Sequence, residues 1–233
     1  MKQYTYFIIL LGTVLFPFIY SFESRRIAFY TKWKFLFPSL IITAALFVGW
    51  DYYFTKWGVW AFNPEYITGI YILNLPVEEV LFFIAIPFSC IFIYEAVGYY
   101  LPNDFMHNYS VNSALLFSAL FAIVAVLNPY KLYTTAAFSI AALALLVHAL
   151  VYNNKFMGKF FLMYLIHLVP FFIVNGFLTY LPVVLYNDSE NMSIRLGSIP
   201  LEDTVYSMSL LLINVSLYEA LKINYNYKIK YNA

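Results

Sequence analysis

The chain has 233 residues, of which 63% are hydrophobic and only 11% are charged. Charged residues make up about a quarter of a typical soluble domain, so this composition predicts an integral membrane protein. The net charge of +1, without runs of Lys or Arg, gives no sign of a nucleic-acid-binding domain, and the single cysteine, Cys90, excludes an intrachain disulfide framework and a Cys-based metal site.

Seven apolar stretches are long enough to cross a bilayer, for which about 20 residues are needed. In chain order they lie at about 4–22, 35–54, 76–98, 110–127, 132–152, 160–181 and 200–221. The first lacks a small-residue cleavage site, so we interpret it as a span and not as a removed signal peptide. The sequence therefore predicts an all-α integral membrane fold with seven transmembrane helices.

The basic residues predict an orientation for this bundle. If the loop after the first span is inside, the inner segments hold nine Lys and Arg and the outer segments hold four. The inner residues are Arg25, Arg26, Lys32, Lys34, Lys155, Lys159, Lys222, Lys228 and Lys230. Because cytoplasmic loops are enriched in Lys and Arg, we expect the N-terminus outside and the C-terminus inside, in a bacterial inner membrane.

Two of the spans begin with the same kind of acidic motif. Pro76-Val77-Glu78-Glu79 opens the third span, and Pro200-Leu201-Glu202-Asp203 opens the seventh. Proline suits the first turn of a helix, and acids there face the positive end of the helix dipole, so ordinary helix initiation could explain one such motif. The third and seventh spans run in the same direction, so both acidic pairs are expected at one membrane face.

The two motifs belong to a longer correspondence at a constant spacing of 124 residues. The matched pairs are Pro76 and Pro200, Glu78 and Glu202, Glu79 and Asp203, Tyr94 and Tyr218, Glu95 and Glu219, and Ala96 and Ala220, with Asp51 and Asn175 as a weaker match. Repetition at one spacing indicates an internal duplication. We therefore divide the chain into a first half, 1–98, a linking helix with its loops, 99–131, and a second half, 132–233.

Acidic residues at membrane depth indicate a functional site. A carboxylate there is costly, and no Lys or Arg lies near these acids within the predicted spans, so we expect some of them to be protonated. Such groups could donate and accept protons in a dry site. Neighbouring residues on a helix diverge by about 100°, so only one acid of each pair can face the bundle centre, and the sequence does not say which. The faces that carry the acids also hold Phe82, Phe83, Tyr206 and Asn214.

Aromatic residues make up 22% of the chain, which has two explanations. Interfacial belts and lipid-facing Phe explain much of it. An aromatic-lined cavity for an extended apolar substrate would explain the rest, with Trp57 and Trp60 as candidates, and aromatic faces would stabilise a carbocation. His148 and His167 lack the spacing of a metal site, and no Gly-x-Gly-x-x-Gly motif occurs, so neither a metal nor a dinucleotide is indicated.

The acidic motifs and their surroundings resemble a known family. The segment 76–83, preceded by Trp50-Asp51 and Gly58-Val59-Trp60, resembles the first half of the membrane-integral lycopene cyclases of bacteria and fungi. These enzymes occur as two subunits or as fusions of both halves. The segment 200–203 resembles the second half, so this chain looks like the fused form.

The resemblance implies a redox-neutral cyclisation of the linear psi end groups of lycopene to rings. We expect β-rings, which would give β-carotene through γ-carotene, but the ring carbon that loses the proton decides between a β- and an ε-ring, and the sequence leaves this open. It implies an acid/base set drawn from Glu78, Glu79, Glu202 and Asp203, supported by Asp51. Trp57, Trp60, Phe82, Phe83, Tyr206 and Asn214 would bind or support the substrate. No cofactor is implied, because the soluble-type cyclases that use a flavin have a dinucleotide-binding fold that this chain lacks.

Three other readings stay open at the level of sequence. The substrate could be a longer C50 carotenoid. A transporter or channel would share repeats and intramembrane acids, although no span carries a polar stripe. The chain could also be a carotenoid-binding scaffold without activity. The expected partners are lycopene and the lipid bilayer, with no nucleic acid; self-association or association with other carotenoid enzymes is left open.

Overall fold

The computed structural model describes residues 2–104, 106–151 and 156–232, the last seven of these by their backbone alone. In this part of the chain seven helices are long and apolar enough to cross a membrane. They are α1 (Thr5–Ser21), α2 (Trp33–Lys56), α3 (Val77–Tyr100), α4 (His107–Leu127), α5 (Leu132–Val151), α6 (Met157–Tyr180) and α7 (Leu201–Asn232). The predicted all-α membrane fold is confirmed.

Every predicted span corresponds to one of these helices, and the largest difference lies in α7. The prediction ended this span near residue 221, where the apolar run stops, but the helix continues to Asn232. A polar sequence can extend a helix beyond the bilayer once its first part is packed. Of the basic residues used to predict the orientation, Lys155 lies outside the described residues, as do the side chains of Lys228 and Lys230.

Short strands, which the sequence did not predict, lie in the two loops that precede α3 and α7. Strand β1 (Trp60–Phe62) pairs with β4 (Val184–Tyr186), β2 (Tyr71–Ile72) with β3 (Leu75–Pro76), and β5 (Arg195–Leu196) with β6 (Ile199–Pro200). All three pairs are antiparallel. Strands of two or three residues are too short to show the alternation of apolar and polar residues on which strand prediction depends.

The strands follow the spacing of 124 residues that the acidic motifs showed. Shifting β1, β2 and β3 by 124 positions gives β4, β5 and β6. Backbone conformations with positive φ also recur at this spacing, at Leu73 and Gly197. In addition, α1 packs against α3 as α5 packs against α7. These correspondences are those expected of a duplicated chain, although the duplication itself and the division into halves stay predictions.

Charged side chains brace the end of the bundle opposite to the acidic motifs. The Glu95 carboxylate of α3 is only 5% exposed and accepts hydrogen bonds from Tyr218 Oη at 2.8 Å and Lys222 Nζ at 3.1 Å. It also forms an ion pair with Lys32, and Lys159 lies with its Nζ 3.6 Å from the centre of the Tyr94 ring. A buried carboxylate needs such partners, and here they connect α3 with α7 and with the loop before α2.

Candidate active site

Both acidic motifs contribute to the wall of one cavity of about 640 Å³, which lies between α1, α3, α6 and α7. Glu79 and Asp203 are each the third residue of their helix, and both line this cavity while being only 7% and 4% exposed. Most of the remaining wall is aliphatic or aromatic. Two carboxyl groups therefore lie in one largely apolar chamber, which the sequence could predict only as a shared membrane face.

Glu79 is held by a single hydrogen bond from a tyrosine. The hydroxyl of Tyr6, in the first turn of α1, donates to Glu79 Oε2 over 2.6 Å. Tyr6 is only 1% exposed and also lines the cavity. The contact fixes the orientation of the carboxyl group and leaves Oε1 for another partner.

Asp203 receives three hydrogen bonds, which makes it the more strongly held of the two acids. Tyr133 Oη donates to Oδ1 at 2.6 Å, while Tyr186 Oη and Asn175 Nδ2 donate to Oδ2 at 2.8 and 3.1 Å. These donors come from α5, β4 and α6, so residues far apart in the chain converge on one carboxyl group. Burial, together with the charge of Asp203, raises the pKa of Tyr186 well above its ordinary value, so this tyrosine remains a donor.

Asp51 of α2 lies on the same wall and is 2% exposed. Its Oδ1 accepts a hydrogen bond of 2.6 Å from the indole of Trp60 in β1. Its Oδ2 is buried and has no hydrogen-bond partner among the described residues. Asp51 is therefore a third carboxyl group on this wall, and one of its oxygens has no hydrogen-bond partner among the described residues.

The first acid of each motif has a different environment. Glu78 and Glu202 are fully buried and do not line the cavity. Glu78 Oε1 accepts from the backbone N–H of Thr68 at 2.7 Å, and Glu202 Oε1 accepts from that of Met192 at the same distance. Thr68 and Met192 are themselves 124 residues apart. These acids thus tie the preceding loop to the start of each helix.

Aromatic rings surround the carboxyl groups at the strand end of the cavity. Trp60 lies 5.0 Å from Tyr133, 6.2 Å from Tyr186 and 6.4 Å from Tyr206, measured between ring centres. Tyr206 also contacts Trp50, at 5.0 Å. The faces of such rings carry negative charge density and attract cations. The site therefore joins proton-carrying groups to surfaces that can stabilise a positively charged hydrocarbon.

A comparison with protein families agrees with this geometry. The family described as "Lycopene cyclase" matches residues 3–97 and 130–221, most of the chain and both acidic motifs. The chain belongs to the lycopene cyclase family. Membership supports carotenoid cyclisation by an enzyme, with a hydrophobic carotenoid substrate in a membrane. No curated protein and no solved structure matches the chain.

In this member of the lycopene cyclase family, the structure brings together only some of the residues predicted for the site. Asp51, Trp60, Phe82 and Tyr206 line the cavity together with Glu79 and Asp203. Phe83 is buried behind the wall, where its ring lies 6.1 Å from that of Phe47. Asn214 lies deeper in α7 and donates to the hydroxyl of Thr43 at 3.1 Å, so it supports packing between α2 and α7.

Trp57 lies outside the cavity, contrary to the expectation that it would join Trp60 there. It is 58% exposed and borders a separate groove on the outer side of α2. The reason is local: Gly58, with φ of +73°, turns the chain between the two tryptophans, so that only Trp60 faces inward.

Sequence reasoning missed the tyrosines that hold the two acids. Tyr6, Tyr133 and Tyr186 are three of 23 tyrosines, and nothing in the local sequence distinguishes them. Asn175 was noted only as the match of Asp51 at the spacing of 124. His167, for which the sequence indicated no metal site, is 2% exposed and lines the cavity. Among the described residues, no group of three His, Cys, Asp or Glu side chains could hold a metal ion.

Proposed function

We propose that this protein cyclises the linear psi end groups of lycopene to β-rings, giving β-carotene through γ-carotene. The observation that carries the proposal is the pair of buried carboxyl groups, Glu79 and Asp203, on the wall of one apolar cavity. The reaction would make the protein an intramolecular lyase or isomerase, because substrate and product have the same atoms. The family match supports the same class of reaction.

The reaction needs one proton to be given and one to be taken. A carboxylic acid protonates the terminal double bond of the end group, which leaves a tertiary carbocation. An internal double bond attacks this cation, and the new carbon–carbon bond closes the ring with the positive charge now on a ring carbon. A carboxylate then removes the neighbouring ring proton, and its electron pair forms the ring double bond. No electrons enter or leave, so the chemistry calls for no redox cofactor.

The unequal hydrogen bonding suggests separate roles for the two acids. Three donors converge on Asp203, and hydrogen bonds to a carboxylate favour its charged form, so Asp203 serves as the base. Glu79 has one such donor, from Tyr6, and serves as the acid. After one turnover Glu79 lacks a proton and Asp203 holds one. Transfer between the two groups across the cavity restores the starting state.

Asp51 and the rings of Trp60 and Tyr206 support the cationic intermediate. Asp51 adds a carboxyl group with one free oxygen, and the two rings lie on the same wall. Aromatic faces are suited to this task because they stabilise a cation without acting as bases that would end the reaction too early. Glu78 and Glu202 contribute by holding the loops in front of α3 and α7.

We further propose that the protein resides in a bacterial inner membrane with its N-terminus outside and its C-terminus inside. The excess of Lys and Arg in the segments assigned to the inside supports this orientation. The acidic motifs would then begin at the outer end of α3 and α7.

Expression in cells that accumulate lycopene tests the proposed function directly. We expect γ-carotene and β-carotene to appear at the expense of lycopene, as measured by chromatography and absorbance spectra of the extracted pigments. Unchanged lycopene, with the protein confirmed in the membrane fraction, would reject the proposal. Rings with the double bond in the ε position would support a cyclase but reject the assigned β-ring product.

A further inference from the structure

The cavity reaches the outer surface of the bundle between α1 and α6. Ile8 and Phe16 of α1, and Ile173 and Phe177 of α6, all line the cavity, yet each of them is more than half exposed. Side chains that belong both to the cavity wall and to the outer surface mark the rim of an opening. Both helices are apolar enough to span a bilayer, so this opening, here called the α1–α6 slot, faces the acyl chains of lipids.

The α1 side of the slot contains a glycine where a side chain would otherwise project. Ile8, Gly12 and Phe16 are spaced by four residues and therefore share one face of α1. Gly12 also lines the cavity, and a Cβ atom added there would meet no atom within 4 Å. Because α1 packs mainly along α3 and contacts α6 much less, the slot is not closed by helix packing.

We infer that the α1–α6 slot is the entrance by which a carotenoid end group passes from the bilayer to Glu79 and Asp203, with the polyene lying in the slot during reaction. The inference rests on the proposed function for the identity of the substrate. A linear hydrocarbon dissolves in the bilayer core, so a lateral entrance lets it reach the carboxyl groups without exposing apolar surface to water.

The dimensions of the cavity imply that one end group reacts at a time. Along α3 the cavity extends from Glu79 to Ile93, 14 residues apart, which corresponds to roughly 21 Å at the rise of an α-helix. A linear C40 polyene is longer than this, so its far end remains in the slot or in the lipid. The second end group must therefore enter through the same slot in a separate event, and the monocyclic product is formed first.

Gly12→Trp tests the slot by placing a large side chain in it. The substitution meets open space and replaces the residue least suited to a helix interior apart from proline, so we expect the protein to fold and to reach the membrane. Ring formation from lycopene should fall by about tenfold or more, because the end group no longer passes. The bicyclic product should fall more steeply than the monocyclic one, since it requires two entries.

Gly49→Trp is the matched control. Gly49 also lies inside a helix, α2, where an added Cβ meets no atom within 4 Å, but it does not line the cavity. We expect ring formation by this variant to equal that of the original protein. Equal ring formation by Gly12→Trp and the original protein would overturn the inference, and so would an equal loss in both glycine variants.

A labelling experiment tests whether lycopene occupies the slot, and it does not depend on turnover. Ile173→Cys places a thiol at the rim, and Ile41→Cys places one on α2, at a position that is 63% exposed and does not line the cavity. Lycopene in the membrane should slow labelling of the first thiol by a lipid-soluble maleimide and leave the second unchanged. Equal rates with and without lycopene at the first thiol would reject the slot. Protection without ring formation would instead keep the slot and reject the proposed function.

Discussion

At the scale of single residues, the two acids of each motif have separate environments. Glu79 and Asp203 line the cavity, whereas Glu78 and Glu202 are fully buried and accept hydrogen bonds from backbone N–H groups of the preceding loops. A carboxyl group that must exchange protons with a substrate has to reach it, while a group that only accepts a hydrogen bond can be replaced by an amide. Substitution of Glu79 or Asp203 is therefore expected to affect activity far more than substitution of Glu78.

Glu79→Gln and Asp203→Asn should each lower ring formation by about 10² or more, the usual contribution of a positioned acid or base. Both variants should be present in the membrane at normal amounts, because the amides have nearly the same shape. Glu78→Gln keeps an oxygen that can accept from Thr68 and is the matched control, with activity expected within about threefold of normal. Pigment analysis in lycopene-accumulating cells measures all three. Full activity of Glu79→Gln would refute the assigned proton donor.

Tyr186 permits a prediction about pH. Burial and the charge of Asp203 raise its pKa well above the ordinary value, so the hydroxyl keeps its proton in the folded protein at neutral and moderately alkaline pH. Between about pH 7 and 9 the rates of the original protein and of Tyr186→Phe should therefore change in parallel, with the variant lower by about tenfold for the lost hydrogen bond. A loss of activity in this range that is absent from Tyr186→Phe would show that Tyr186 titrates.

At the scale of elements, the turns before α3 and α7 have the same backbone path with different residues. Leu73 has φ of +58° and is 75% exposed, whereas its counterpart Gly197 has φ of +68°. A residue with a Cβ is strained in this conformation, and glycine is not. Leu73 gains little from packing because three quarters of its surface is exposed.

Leu73→Gly should therefore stabilise the protein by up to about 1 kcal/mol, and Gly197→Leu should destabilise it by about 1–2 kcal/mol. The loss of backbone entropy that accompanies a new glycine reduces the first effect. Thermal unfolding in detergent, followed by the loss of soluble protein after heating, measures both changes. A lower Tm for Leu73→Gly would mean that Leu73 makes contacts that its exposure does not reveal.

At the scale of the whole molecule, the division into two halves predicts that the chain can be cut. The family matches fall at 3–97 and 130–221, on either side of α4. Strand β1 pairs with β4 across the two halves, and Asn214 of α7 bonds to Thr43 of α2, so the halves hold each other through many contacts. Residues 1–98 and 99–233, produced as separate chains in one cell, should restore ring formation, whereas either piece alone should not. Activity from one piece alone would reject the idea of a shared site.

The sequence predicted the seven spans because the hydropathy of each stretch depends only on its own residues. It also predicted that both acidic pairs lie at one membrane face, because an even number of membrane crossings separates them. It could not predict that Glu79 rather than Glu78 faces the cavity, since this depends on how α3 rotates against α1 and α2. Nor could it select Tyr6 and Tyr133, because their role depends on helices that meet only in the folded bundle. Trp57 was misplaced for a local reason: Gly58, with its positive φ, redirects the chain between Trp57 and Trp60.

The hydrogen bonds and the ion pair around Glu95 affect how substrate and product can move through the cavity. The cavity ends near Phe92 and Ile93, and the next turn of α3 brings Glu95 with its lysine and tyrosine partners. A hydrocarbon chain is not expected to pass these charged groups, so the cavity is closed at this end. With the α1–α6 slot as the proposed entrance, each product would leave by that same route before the next substrate binds. We therefore expect product inhibition of the enzyme in a membrane rich in cyclic carotenoid.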